Sequence, residues 1–160
     1  MAHKVIKSFP APGASSVGIG FDGKYLWVVD TSTDLIYQLT LNGKVVKSFA
    51  APGASTCGIG FDGKYLWVVD VGTDLIYQLT LNGIIVKSFA APGAAGIGIA
   101  FGGKYLWVVD TSTDLIYQLT LNGKVVKSFA APAANNRGIA FDGKYLWVVD
   151  VGTDLIYQIS

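Results

Sequence analysis

Eight of the eleven carboxylates fall into four pairs spaced four residues apart: Asp30 with Asp34, Asp70 with Asp74, Asp110 with Asp114, and Asp150 with Asp154. Repeated pairs on short loops are one way to ring a cation. The residues between them, Thr-Ser-Thr or Val-Gly-Thr, do not reproduce the Asp-x-Asp/Asn-x-Asp/Asn-Gly order of a calcium loop. An aspartate at a strand end also accepts hydrogen bonds from loop amides. That structural role is the expectation here, with no metal and no cofactor. Cys57 is the single thiol, and its counterparts at 40-residue spacings are Val17, Ile97 and Arg137, with no base behind it to make a nucleophile. Glutamate is absent, and the one histidine, His3, lies in the terminal tail. General acid–base work near neutral pH wants a histidine or a carboxyl group of raised pKa. The chain is therefore expected to carry no catalytic residues and not to be an enzyme.

The elements that hold these residues come from repetition. Lys-Tyr-Leu-Trp-Val-Val-Asp occurs at 24–30, 64–70, 104–110 and 144–150, and Thr-Asp-Leu-Ile-Tyr-Gln follows each copy, a period of 40 residues over almost the whole chain. A second period of 80 lies on top, because Thr-Ser-Thr at 31–33 and 111–113 alternates with Val-Gly-Thr at 71–73 and 151–153. Helix caps and helical periodicity are missing, while β-branched and aromatic residues dominate. The first copy reads as strands from Gly18 to Phe21, Tyr25 to Asp30, Leu35 to Thr40 and Val45 to Phe49. Asp22-Gly23 and Asn42-Gly43 between them signal type I′ hairpin turns.

Burial patterning selects the architecture. Leu26-Trp27-Val28-Val29 shows no alternation, so both faces of that strand must be dry. The fourth strand is wetter, with Lys44, Lys47 and Ser48. Sheets covered on both faces by their neighbours, last strand outward, are propeller blades. The expected fold is all-β: a β-propeller of four-stranded antiparallel blades, four blades in a single domain spanning 1–160. Trp27, Trp67, Trp107 and Trp147 then pack blade on blade rather than offering sugar-stacking platforms. A net charge of +1 leaves no electrostatic footprint for nucleic acid or a membrane surface, and no apolar run is long enough for a membrane-spanning helix. The opening Met-Ala-His-Lys lacks the apolar core of a signal peptide, and one cysteine leaves the redox compartment open.

Gly-Ile-Ala-Phe-Asp-Gly-Lys-Tyr-Leu-Trp-Val-Val-Asp at 138–150, followed by Ile-Tyr-Gln at 156–158, resembles the repeat of NHL-like propellers. It is also similar to the repeats of YncE/YVTN-type surface propellers and of the streptogramin lyases. The near-identity of the copies resembles recently amplified or designed symmetric propellers. The lyase resemblance implies a His and Glu acid/base site with a divalent metal; this sequence has no glutamate and only His3, so the resemblance carries the fold and not the activity.

Two features bear on function. Residues 4–9 match the fourth strand of later copies, while the last copy stops after its third strand. The N-terminal strand is expected to complete the C-terminal blade. It can do so within one chain, giving four blades, or in a second chain, giving an eight-bladed ring. The slim inner strands around Gly18 and Gly20 favour the two-chain ring, a homodimer that self-assembles by strand exchange. The other feature is variability. The copies differ mainly at Ser15-Ser16-Val17, Ser55-Thr56-Cys57, Ala95-Gly96-Ile97 and Asn135-Asn136-Arg137, at one end of the blades. As a channel-mouth binding face for a peptide, glycan or small ligand, that end would use Asn135, Asn136 and Arg137 as anchors, with Ser55, Thr56, Ser15 and Ser16 around them. In the plainer reading these loops drift because little packs on them.

Overall fold

The computed structural model describes residues 5–160; His3 and the first residue of the 4–9 segment lie outside them. It contains fifteen strands and no helix among the described residues. In the first blade these are β1 (Ser16–Phe21), β2 (Leu26–Asp30), β3 (Leu35–Leu39) and β4 (Val45–Ala50). The second holds β5 (Thr56–Phe61), β6 (Leu66–Asp70), β7 (Leu75–Leu79) and β8 (Ile85–Ala90). The third holds β9 (Gly96–Gly102), β10 (Tyr105–Asp110), β11 (Leu115–Leu119) and β12 (Val125–Ala130). The last holds β13 (Asn136–Phe141), β14 (Leu146–Asp150) and β15 (Leu155–Ile159). Each sheet is an antiparallel meander in chain order, and the last has three strands instead of four. The chain is an all-β propeller of four blades.

In the second and third blades the middle strands are dry on both sides, as their unbroken apolar runs require: every residue of β6 is buried. Blades stack through mixed clusters. Trp27, Val29 and Ile36 of the first blade meet Ile59, Leu66, Val68, Tyr77 and Leu79 of the second. The same positions join the second blade to the third, and Trp107, Val109 and Ile116 join the third to Leu146 and Val148 of the fourth. Inner strands approach so closely that only glycine fits. A Cβ on Gly58 would lie 2.7 Å from the Ile97 carbonyl oxygen, and one on Gly98 would lie 2.9 Å from that of Arg137. A Cβ on Gly138, in the last blade, would meet only a Val149 methyl within 4 Å.

The turns differ from expectation. Of Asp22-Gly23 and Asn42-Gly43, only the glycines have positive φ, 94° and 80°. Gly43 N–H donates to the Thr40 carbonyl and Thr40 N–H to that of Lys44, with a register shift just beyond, which is a three-residue turn closed by a glycine bulge rather than type I′. Asp22 keeps a negative φ because its carboxylate caps the turn, accepting from the Lys24 and Tyr25 amides at 2.8 and 2.6 Å. Positive φ appears instead at Asp34, Asp74, Asp114 and Asp154, between 53° and 56°. Residues 5–10 form no strand. They run exposed past the first blade, with Lys7 Nζ donating to Asn42 Oδ1 at 2.9 Å.

Candidate functional site

At the variable end of each blade one buried aspartate ties two loops together. Asp30 Oδ2 accepts from Ser15 N–H at 2.9 Å and from the Ser16 hydroxyl at 3.1 Å. Asp30 Oδ1 accepts from the amides of Ser32 and Thr33, each at 3.0 Å, and from both hydroxyls. The Ser32 hydroxyl bond, with those from Ser15, Thr33 and Ser16, outweighs burial and pulls the Asp30 carboxyl down to about 2. At Asp110 burial pushes upward, yet the bonds from Ser112, Ala95 and Thr113 hold it below the usual carboxylate value. Asp70 and Asp150 receive the equivalent amides of Ser55 and Asn135 at 2.9 and 2.7 Å. The variable linker and the 31–33 loop thus share one end of the blade, since Thr31 N–H also donates to the Ser15 carbonyl. The second aspartate of each pair stands apart from this network. Asp34 occupies the left-handed region, and its carbonyl accepts from Ala51 N–H at 2.9 Å.

The residues expected on the mouth of the channel separate into two groups. Thr56 and Asn136 are buried, and both turn inward: the Thr56 hydroxyl donates to Gly53 O and Asp70 Oδ2, and Asn136 Nδ2 donates to Ala133 O. Asn136 Oδ1 finds no partner among the described residues. Ser16 also donates to Asp30 yet stays exposed. Ser15, Asn135 and Arg137 remain exposed and Ser55 is half-buried. Arg137 lines the axial cavity, about 340 Å³, with Val17, Cys57 and Ile97 at the equivalent positions of the other blades. The Cys57 thiol donates to the Ser55 carbonyl at 3.1 Å; burial, and the Asp70 charge, raise its pKa. That arrangement makes it a poor nucleophile.

A feature of a different kind lies at the two ends of the blade series. Trp147, Val149 and Ile156 occupy the positions that other blades bury at a junction, yet they are 36%, 38% and 69% exposed. On the first blade Ile19, the counterpart of buried Ile59, is 67% exposed. Beside it a groove of about 280 Å³ is lined by Phe9, Pro12, Val17, Ile19, Leu26 and Val28. The fourth blade thus ends in one half of a junction cluster and the first begins with the other half. The axial cavity opens between them, so that Trp147 and Ile156 line it as well as Val17 and Ile19. Sequence reasoning placed the unfinished strand set correctly but did not identify these faces as the site, because their residues are the same ones that form ordinary core elsewhere.

No family model and no curated protein matches the chain. Solved structures do. A catalytically inactive virginiamycin B lyase from Staphylococcus aureus, with quinupristin, is 24% identical with a TM-score of 0.68, covering 95% of this chain and 57% of its own. Glutaminyl cyclase from Myxococcus xanthus is 14% identical with a TM-score of 0.83, over 98% of this chain and 70% of its own. The computationally designed Ika4 protein is 10% identical with a TM-score of 0.66, and the match covers 100% of both chains. The likeness is one of fold, and the chain spans little more than half the length of the lyase.

Proposed function

We propose that this chain is a non-enzymatic, self-assembling propeller scaffold, in which two copies close into an eight-bladed symmetric ring. The observation that carries the reading is the pair of exposed apolar faces: Trp147, Val149 and Ile156 at one end, and Ile19 beside Val17 at the other. Each large side chain taken out of water there contributes about 1.5–3 kcal/mol. Association costs about 4–15 kcal/mol in lost freedom. A ring of two copies makes two junctions for one such loss, and it also covers the open edge of β15. The likeness of fold to a designed propeller supports a scaffold. The saturated loop aspartates and the unassisted Cys57 support the absence of catalysis.

A second reading, a binding module at the channel mouth, is favoured by one observation. Arg137 brings a cation into a cavity whose other equivalent positions are Val17, Cys57 and Ile97. Its ligand would be a peptide, glycan or small molecule with an anionic group, and Arg137→Ala would remove binding.

The ring is tested by solution mass. Sedimentation equilibrium should give twice the chain mass of 16.9 kDa. A stable particle of 16.9 kDa would overturn the two-chain ring.

A further inference from the structure

In the three complete blades the outer strand delivers two side chains to the blade's tryptophan. Phe49 lies 6.0 Å from the Trp27 ring, Phe89 6.0 Å from Trp67, and Phe129 6.2 Å from Trp107. Lys47, Lys87 and Lys127 place their ammonium groups 5.6, 5.5 and 5.4 Å from the same rings. The same two side chains also reach the next blade. Lys47 donates to Asn82 Oδ1 at 2.7 Å and Lys87 to Asn122 Oδ1 at 2.8 Å. Phe49 and Phe89 cover Gly83 and Gly123, leaving room there for no Cβ. A Lys-Ser-Phe segment therefore clamps an indole on one side and an Asn-Gly turn on the other.

Lys7-Ser8-Phe9 already holds one half of this arrangement. Lys7 donates to Asn42 Oδ1 at 2.9 Å, and Phe9 packs on Gly43 as Phe49 packs on Gly83. Its other half is empty: no described tryptophan lies beneath it. Trp147 is the tryptophan with no lysine and no phenylalanine over it among the described residues.

From this we infer that the open edge of β15, with Trp147, is a strand-accepting peptide site specific for a lysine two residues before an aromatic, and that residues 5–9 of a second copy are its resident occupant. This rests on the ring reading for the identity of the occupant. The register follows from β3 and β4, where Ile36 faces Phe49, Tyr37 faces Ser48 and Gln38 faces Lys47. Ile156 then faces Phe9, Tyr157 faces Ser8, and Gln158 faces Lys7. Main-chain bonds supply affinity in such strand addition, and the side-chain slots supply selection. Assembly is accordingly open to competition by any free extended peptide of this chemistry.

The test uses the full chain carrying Lys7→Ala and Phe9→Ala, which weakens the resident occupant, and a fluorescently labelled peptide of residues 4–12. Anisotropy should show saturable binding at one site per chain. Phe→Ala in the peptide should weaken binding at least about tenfold, as for a buried aromatic anchor. Lys→Ala should weaken it about threefold, as for a half-exposed cation over an indole. A scrambled peptide should not bind. No binding, or binding indifferent to both substitutions, overturns the inference. Mass measured on the unaltered chain separates the two readings: a twofold particle whose weakened variant ignores the peptide overturns the site alone, and a 16.9 kDa particle whose variant binds it overturns the ring alone.

Discussion

The indole N–H of Trp67 donates to Asp62 Oδ2 at 2.7 Å, across the turn that separates the first two strands of its blade. Trp67 is wholly buried, so this carboxylate oxygen is its way of satisfying a polar group in a dry junction. Asp62→Ala is expected to lower unfolding stability by about 1–3 kcal/mol, because it leaves a buried donor unpaired and uncaps the turn. Urea denaturation followed by tryptophan fluorescence measures it. The third blade carries Gly102 at this position, where a Cβ would lie 2.5 Å from Trp107 Nε1, so Gly102→Asp should destabilise rather than restore the bond.

Acid should loosen the loops before it opens the blades. Asp30, bonded foremost by the Ser32 hydroxyl, sits at about 2 against an ordinary 3.8, and Asp110, Asp142 and Asp150 are lowered as well. Each native carboxylate binds its proton less readily than in the unfolded chain, so its stabilisation is complete above 3.8 and is lost as pH falls through the lowered value. Urea midpoints should be flat from about pH 5 to 7 and decline between about 4 and 2. A midpoint that does not move in that window would contradict the stapling role of these aspartates.

The second aspartate of each pair serves its backbone. Asp74 lies at φ 54°, where a β-branched side chain is strained and asparagine is tolerated. Asp74→Val should cost about 1–2 kcal/mol, while Asp74→Asn should stay within about 0.5 kcal/mol of the parent. A large loss on Asp74→Asn, reversed by added calcium, would instead support a cation ring.

Glycine substitutions separate the inside of the series from its end. Gly58→Ala places a methyl 2.7 Å from the Ile97 carbonyl oxygen and should cost several kcal/mol, on the order of 3. Gly138→Ala meets only Val149 in the single chain, at 3.1 Å. In the proposed ring it would press on Val17 of the second copy, as Gly58 presses on Ile97. Gly138→Ala should therefore leave the circular dichroism spectrum intact and shift the mass towards 16.9 kDa.

Much of this was legible in the sequence for a physical reason. Forty-residue periodicity and unbroken runs such as Leu66-Trp67-Val68-Val69 report burial on two faces, which few architectures supply. The turns were misjudged because Asn-Gly and Asp-Gly pairs fit two- and three-residue connections alike, and the choice depends on capping bonds such as those of Asp22. Thr56 and Asn136 were expected on a surface because they vary between copies, yet variation there reflects alternative ways of filling the space beside Asp70 and Asp150. The clamp of Lys47 and Phe49 on Trp27 has a sequence signal, the fixed distance from Lys-Ser-Phe back to Trp, which only coordinates turn into a contact.

The most direct test joins two chains through the proposed edge. One chain carries Cys57→Val and Ser8→Cys, the other Cys57→Val and Tyr157→Cys, positions that face each other in the register of Tyr37 and Ser48. Mixed and oxidised, they should give a covalent species of twice 16.9 kDa that neither chain forms alone. If the mixture stays at 16.9 kDa under denaturing, non-reducing conditions, residues 5–9 do not complete the last blade of a second copy, and closure by strand exchange is wrong.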